Sequence, residues 1–320
     1  MQGNDALAPP EIARWRLGNT GVDFVHRRES GRAGPRALVT ALVHGNEPCG
    51  AAALDRLLGS GFVPTRGILT LAFANIAAYR LIDPARPERG RFVDEDMNRL
   101  WSPARLDGPG LSVELARARA LRAFADEADH LLDLHSMSEG EAALALCGTT
   151  EKGLRFARRV GYPATVVSDP GHAGGVRLRD YGRFGNNGSE AAALLVECGP
   201  HFSPGSAAVA FEATLRFLAA LDMLDPAFAA KHLTQTPPAA QQFIEVTDVV
   251  TIETDVFAFA QPWRGLEVIP APGTLVARDG QREVRTPYPN CVSVMPARRL
   301  ARGLTAVRLG RFVQAPAARP

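Results

Sequence analysis

The residues Ala37-Leu38-Val39-Thr40-Ala41-Leu42-Val43, running directly into His44-Gly45-Asn46-Glu47 and then Pro48, decide the fold. A continuous apolar run of this kind reads as a β-strand covered on both faces. A helical pattern follows over 48–58, opened by a proline that the first helical turn tolerates. Working outward, a second apolar run occupies 67–74, and 130–134 and 191–196 read as a third and fourth. Further helical patterns cover 112–128, where Ser112 is a suitable N-cap, 151–160, and 204–222, opened by Pro204. Strands alternating with helices predict an α/β fold, a mostly parallel or mixed sheet flanked by helices.

Beyond residue 233 the pattern changes. Residues 234–242, with Pro237, Pro238 and three glutamines, read as a linker between a first domain, 1–233, and a small all-β domain, 243–320. Residues 243–260 are rich in β-branched and aromatic residues, 274–286 read as a hairpin around Asp279-Gly280, and 291–295 and 305–313 look like further strands. The tail superficially resembles a lipoyl or biotinyl carrier domain, but no lysine follows Lys231, which excludes attachment of such a cofactor.

The chain of 320 residues can bury a large core, and its 46% hydrophobic and 22% charged residues are those of a globular protein. A net charge of +2 argues against nucleic-acid and membrane partners. Cys49, Cys147, Cys198 and Cys291 fall in no C-x-x-C spacing and fit free thiols in a cytoplasmic protein. Met1 to Arg16 lacks the apolar core of a signal peptide, and no run approaches the roughly 20 residues that span a bilayer.

Two histidines sit where such strands end. His44 closes the first apolar run, with Glu47 three residues on, and His135 closes Leu131-Leu132-Asp133-Leu134. In open α/β sheets ligands collect at the carboxyl ends of the strands. An imidazole, a carboxylate and a second imidazole supply three ligands and leave a fourth position for water, the pattern of a catalytic zinc site. Asp133 is suited either to orient a ligand or to a structural role. Glu197 ends the run Ala193-Leu194-Leu195-Val196, where a carboxylate is costly to bury. It reads as a catalytic base or as the partner of one of the many arginines. Arg91, Asn98 and Arg99 can capture a carboxylate, although Asp94, Glu95 and Asp96 between them also fit a solvated charged loop. The stretch Gly171 to Gly188, with Arg177, Arg179, Tyr181 and Arg183, fits either a pocket wall or a surface loop. His201, four residues beyond Glu197, is the remaining histidine nearest these residues.

His44-Gly45-Asn46-Glu47, Arg91-(x)₄-Asp96-Met97-Asn98-Arg99, Asp133-Leu134-His135 and Glu197-x-Gly199-Pro200 together resemble the succinylglutamate desuccinylase/aspartoacylase family of the zinc carboxypeptidase clan. The resemblance implies hydrolysis of the amide of a small N-acyl amino acid, acetyl or succinyl in type. It implies one Zn²⁺ per chain on His44, Glu47 and His135, Arg91 at the oxyanion, Asn98 and Arg99 on a substrate carboxylate, and Glu197 as general base. An arginine shortly before that glutamate binds the acyl-side carboxylate in the family; an apparent insertion at Asn186 to Glu190 disturbs the spacing, and Arg183 is the candidate. Tyr288, the one tyrosine in the tail, is the candidate for a substrate-binding tyrosine. A metallocarboxypeptidase acting on short peptides, or a non-catalytic small-molecule binding protein on the same fold, would use the same frame. A homo-oligomer is compatible with the sequence, which does not specify association.

Overall fold

A computed structural model describes residues 6–86, 88–137, 141–234 and 239–315. Four residues of the expected linker, 235–238, and the extreme ends of both expected domains, 1–5 and 316–320, lie outside the described residues. The strands are β1 (Val25–Glu29), β2 (Arg36–Ala41), β3 (Ile68–Phe73), β4 (His130–Met137), β5 (Leu144–Leu146), β6 (Thr165–Ser168), β7 (Ala192–Pro200), β8 (Gln242–Thr251), β9 (Phe257–Phe259), β10 (Val268–Ile269), β11 (Leu275–Asp279), β12 (Arg282–Arg285), β13 (Cys291–Val294) and β14 (Thr305–Val313). Eleven of them form one mixed sheet in the order β1-β3-β2-β4-β7-β5-β6-β8-β14-β13-β10.

The centre of that sheet is parallel, β3-β2-β4-β7, and parallel strands need crossovers that lay helices on the faces. Helices Pro48–Gly59, Glu151–Val160 and Pro204–Ala220 cover one face, where Leu54, Leu57, Phe156, Phe211 and Phe217 share a core with Ala37, Val39 and Ala41 of β2. Helix Val113–Glu127 covers the other, where Leu115, Leu121 and Phe124 meet Leu38 and Leu131. Successive side chains of a strand point to opposite faces. Two covered faces therefore make four of the six positions of β2 apolar and leave only Arg36 exposed.

The C-terminal residues are all β, as expected, but they do not begin a fresh sheet. β8 pairs parallel to β6, and β14, β13 and β10 continue the main sheet antiparallel from there. Without β8, the outer edge of β6 would expose a row of unpaired backbone groups. Ile244, Val246, Val292 and Val294 pack with Leu146, Val167 and Leu195, so the tail shares a core with the body. A separate antiparallel sheet, β12-β11-β9, contains the expected hairpin, with Gly280 at φ +59 in its turn.

Candidate metal centre and its cavity

His44, His135 and Glu197 arrive at one end of three adjacent parallel strands. Ala41 of β2 lies beside Leu134 of β4, and His135 beside Glu197 of β7. After β2 the chain turns through Leu42 in the left-handed region (φ 62), then runs His44 to Glu47 into the helix that begins at Pro48. Gly45 is required by close packing: a Cβ there would sit 2.3 Å from the backbone nitrogen of Tyr79 and 2.5 Å from the carbonyl oxygen of Gly90.

The three side chains converge. His44 Nδ1 lies 2.8 Å from one carboxylate oxygen of Glu47, and His135 Nδ1 lies 2.8 Å from the other. One ligand atom from each of the three residues falls within 4.8 Å of the others. The far nitrogens are engaged too: His44 Nε2 is 2.9 Å from Asp96 Oδ1, and His135 Nε2 is 2.9 Å from Asp133 Oδ2. Each imidazole thus lies between two carboxylates, and Arg91 Nη2 also lies 3.0 Å from His44 Nε2. With a metal ion on the Nδ1 atoms, each Nε2 would carry the hydrogen and donate to its outer carboxylate. Two imidazoles and a carboxylate, each imidazole oriented by a second carboxylate, are a donor set that fits a divalent ion such as zinc.

The electrostatics agree with that donor set. Burial opposes charge on Glu47, but His44 and His135 hold its carboxyl well below the usual range. Burial likewise opposes charge on His135, and Asp133 and Glu47 nevertheless hold its pKa well above that of a free imidazole. A cation is thus stabilised at this point. Glu197 behaves in the opposite way. Burial pushes its carboxyl up to about 8 against the pull of His135, and Glu47 adds to the rise. Its Oε2 is buried without a hydrogen-bond partner.

The acids of the 91–99 segment are structural fasteners rather than a solvated loop. Asp94 accepts the backbone N–H of Val113 at the start of helix Val113–Glu127, and Glu95 accepts from Ser112 and Arg105. Asp96 joins His44 to Arg91, whose Nη2 is 3.2 Å from Asp96 Oδ2, and caps the short helix Met97–Arg99 through the N–H of Asn98. Glu114, fully buried, accepts the N–H groups of Val93, Asp94 and Glu95 and so fixes the loop. Asn98 spends its carboxamide oxygen on the N–H of Leu178, and Arg99 donates to the carbonyl of Asn98.

A cavity of about 600 Å³ opens over the centre and is lined by His44, Glu47, His135, Glu197, Arg91, Asn98, Arg99 and His201, among others. Residues 295–305, between β13 and β14, form its opposite wall. Two expected residues are not brought there. Arg183 is half exposed and reaches Asp129 and the carbonyl of Asp126, because Lys152 Nζ pins the 183–189 turn through the carbonyls of Arg183, Asn186 and Ser189. Tyr288 packs in the tail, with its hydroxyl 2.6 Å from Thr247 Oγ1. Arg177 and Arg308 line the cavity instead. Sequence reasoning left Arg177 undecided within its loop and missed Arg308 and the Asp96 contact to His44. A buried arginine in an apolar strand, as at 308, was the available signal.

Residues 33–221 match the family model of the succinylglutamate desuccinylase/aspartoacylase catalytic domain. The chain belongs to that family. Its members are hydrolytic deacylases, and this one carries their fold and a His–Glu–His group. No curated protein matches the chain. Among solved structures, a succinylglutamate desuccinylase from Vibrio parahaemolyticus is similar over 91% of this chain and 87% of its own, at 18% identity and a TM-score of 0.67. A succinylglutamate desuccinylase/aspartoacylase from Rhodobacter sphaeroides is similar over 92% and 90%, at 15% identity and 0.64. The ectoine utilization protein EutE (DoeB) from Ruegeria pomeroyi is similar over 97% and 99%, at 17% identity and 0.60. At such identities the likeness is one of fold. Among the described residues no helix is long and apolar enough to cross a membrane.

Proposed function

We propose that this chain is a zinc-dependent hydrolase that cleaves the amide bond of a small N-acyl amino acid. The observation that carries the reading is the pairing of two oriented imidazoles and Glu47 with a second buried carboxylate, Glu197, that has a free oxygen in the same cavity. A zinc ion on His44, Glu47 and His135 would act as a Lewis acid and bring the pKa of a water towards ~7. Glu197 takes the proton of the attacking water and returns it to the leaving nitrogen, a role typically worth ~10²–10⁴-fold. Arg91, held by Asp96, donates to the oxyanion that develops on the amide carbon. Arg99, with the amide of Asn98, grips a substrate carboxylate, and Arg177 takes the acyl-side place expected of Arg183.

The wall at 295–305 narrows the approach, which favours small acyl amino acids over longer peptides. Product analysis separates these readings. Incubation of the zinc-loaded chain with N-acetyl and N-succinyl amino acids and with dipeptides should release free amino acid from the acyl compounds and leave the dipeptides whole. Cleavage of the dipeptides alone would identify a peptidase. Silence on both, with zinc bound, would identify a binding protein.

A further inference from the structure

Arg308 lies in the middle of β14 between Val307 and Leu309, both fully buried, and is itself 6% exposed. An arginine in such a place needs an anion. It has half of one. Asp169, wholly buried, places the same oxygen, Oδ2, 2.8 Å from Arg177 Nη1 and 3.1 Å from Arg308 Nε. Asp180 adds a contact of 2.9 Å to Arg177 Nε, but it also serves Arg179, at 2.5 Å. Three guanidinium groups therefore share two carboxylates, and one positive charge is left over.

That surplus faces the cavity. Arg177 and Arg308 both line it, one from the body and one from the C-terminal strand, and Arg177 Nη2 is buried with no acceptor. Asp169 approaches Arg308 at Nε in an ion pair that lacks hydrogen-bond geometry, so this buried donor too is left without a hydrogen-bond partner. His172, beside them with Nε2 3.3 Å from Thr305 Oγ1, records the unneutralised charge: burial and the guanidinium groups of Arg99, Arg308 and Arg177 push it down to about 4. Buried donors normally have partners, and two guanidinium groups fixed side by side match the two oxygens of a carboxylate.

We propose that Arg308, with Arg177, forms a carboxylate clamp in the cavity wall, making Arg308 a specificity-determining residue that the C-terminal strand adds to the site. The ligand then carries one carboxylate at this clamp and another at Asn98 and Arg99. The clamp rests on the hydrolase reading only for its role in turnover; its binding function can be measured alone.

The test is calorimetric titration of the zinc-loaded full chain with succinate, acetate and inorganic phosphate, using wild type, Arg308→Gln, Arg308→Lys and Arg311→Gln. Arg311 lies on the same strand but pairs with Glu245 at the surface, so its variant is the control. Succinate should bind at least ~10-fold more tightly than acetate. Arg308→Gln should weaken succinate about 10–100-fold and acetate less than about 3-fold, the range for a hydrogen bond to a charged group. Arg308→Lys keeps the charge beside Asp169 but loses the fork, and should fall between; it carries the test if circular dichroism shows the glutamine variant unfolded. An unchanged succinate-to-acetate ratio in these variants overturns the clamp, as does an equal loss of both ligands. Arg308-dependent phosphate binding tighter than that of succinate overturns the carboxylate assignment. An Arg308-dependent ratio in a chain that hydrolyses no acyl amino acid would uphold the clamp and remove the hydrolase reading. Turnover that ignores Arg308 would do the reverse.

Discussion

Replacing Asp133 by asparagine probes how the centre is held. Asp133 is wholly buried, with Oδ2 2.9 Å from His135 Nε2 and Oδ1 accepting the hydroxyl of Thr40 at 2.6 Å. An asparagine has the same shape. Its oxygen can still accept from Nε2–H while its NH₂ turns to the hydroxyl oxygen of Thr40, so the ring keeps its orientation and tautomer. The charge is lost, and so is the acceptor of the Thr40 hydroxyl hydrogen, a loss that bears on folding more than on the imidazole. Hydrogen bonds to an ionised acceptor are about twice as strong as neutral ones, which puts the loss at about 1 kcal/mol and zinc affinity down roughly tenfold. Asp133→Ala leaves both Nε2–H and the Thr40 hydroxyl buried without an acceptor, at about 1–3 kcal/mol each, and zinc binding should weaken about a hundredfold. Competition with a chromophoric chelator at fixed pH measures both constants, and thermal melts of the chelated variants report folding separately. If both variants stay folded and hold zinc within about twofold of wild type, the idea that Asp133 orients a metal-binding imidazole is wrong.

Other outcomes follow from the same geometry. Glu197→Gln should lower turnover by about 10²–10⁴ while zinc stays bound, as read by steady-state rates beside metal analysis. In chelated protein Glu197 keeps its proton up to about 8, whereas the unfolded chain releases it above 4.5. The native state then binds more protons than the unfolded one in that window, so stability falls as pH rises from 4.5 to about 8. Urea titrations across that range should show the fall flattened in Glu197→Gln. Asp169 behaves with the opposite sign: burial opposes its charge, but Arg308 and Arg177 depress it from 3.8 to about 2. Its stabilisation is present above 3.8 and lost as pH falls towards 2. The amount is about 2 kcal/mol by linkage, and Asp169→Asn should show that much less acid sensitivity in unfolding experiments between those values. Arg183→Gln, at a half-exposed position outside the cavity, should leave kcat/KM within about twofold of wild type. A tenfold fall would restore Arg183 to the site.

The parts of the fold legible in the sequence are those whose pattern is local. β2 is covered by Leu57 and Phe211 on one face and Leu115 on the other, so its apolar run declares it. β5 is only three residues long within a short apolar stretch, β6 carries only Val166 and Val167 between polar residues, and the pairing of β6 with β8 joins residues far apart in the chain. The centre follows the same division. His44, Glu47, His135 and Glu197 stand at the ends of readable strands, and the structure gathers them. Arg183 is the arginine nearest before Glu197 along the chain, but Lys152 draws its turn away from the cavity. Arg177 depends on the bond from Leu178 to Asn98, and Arg308 on the register of β14 against β13 and β8. In the sequence Asp96 is one of three neighbouring acids, and only the fold sets it against His44.

Metal-dependent turnover tests the central claim most directly. Release of free amine from the best N-acyl amino acid should be measured on the zinc-loaded chain, after exhaustive chelation, and after zinc is restored. Release that disappears with the metal and returns with it, and that Glu47→Gln cannot recover, is the predicted result. Release that persists in the chelated protein would contradict the account.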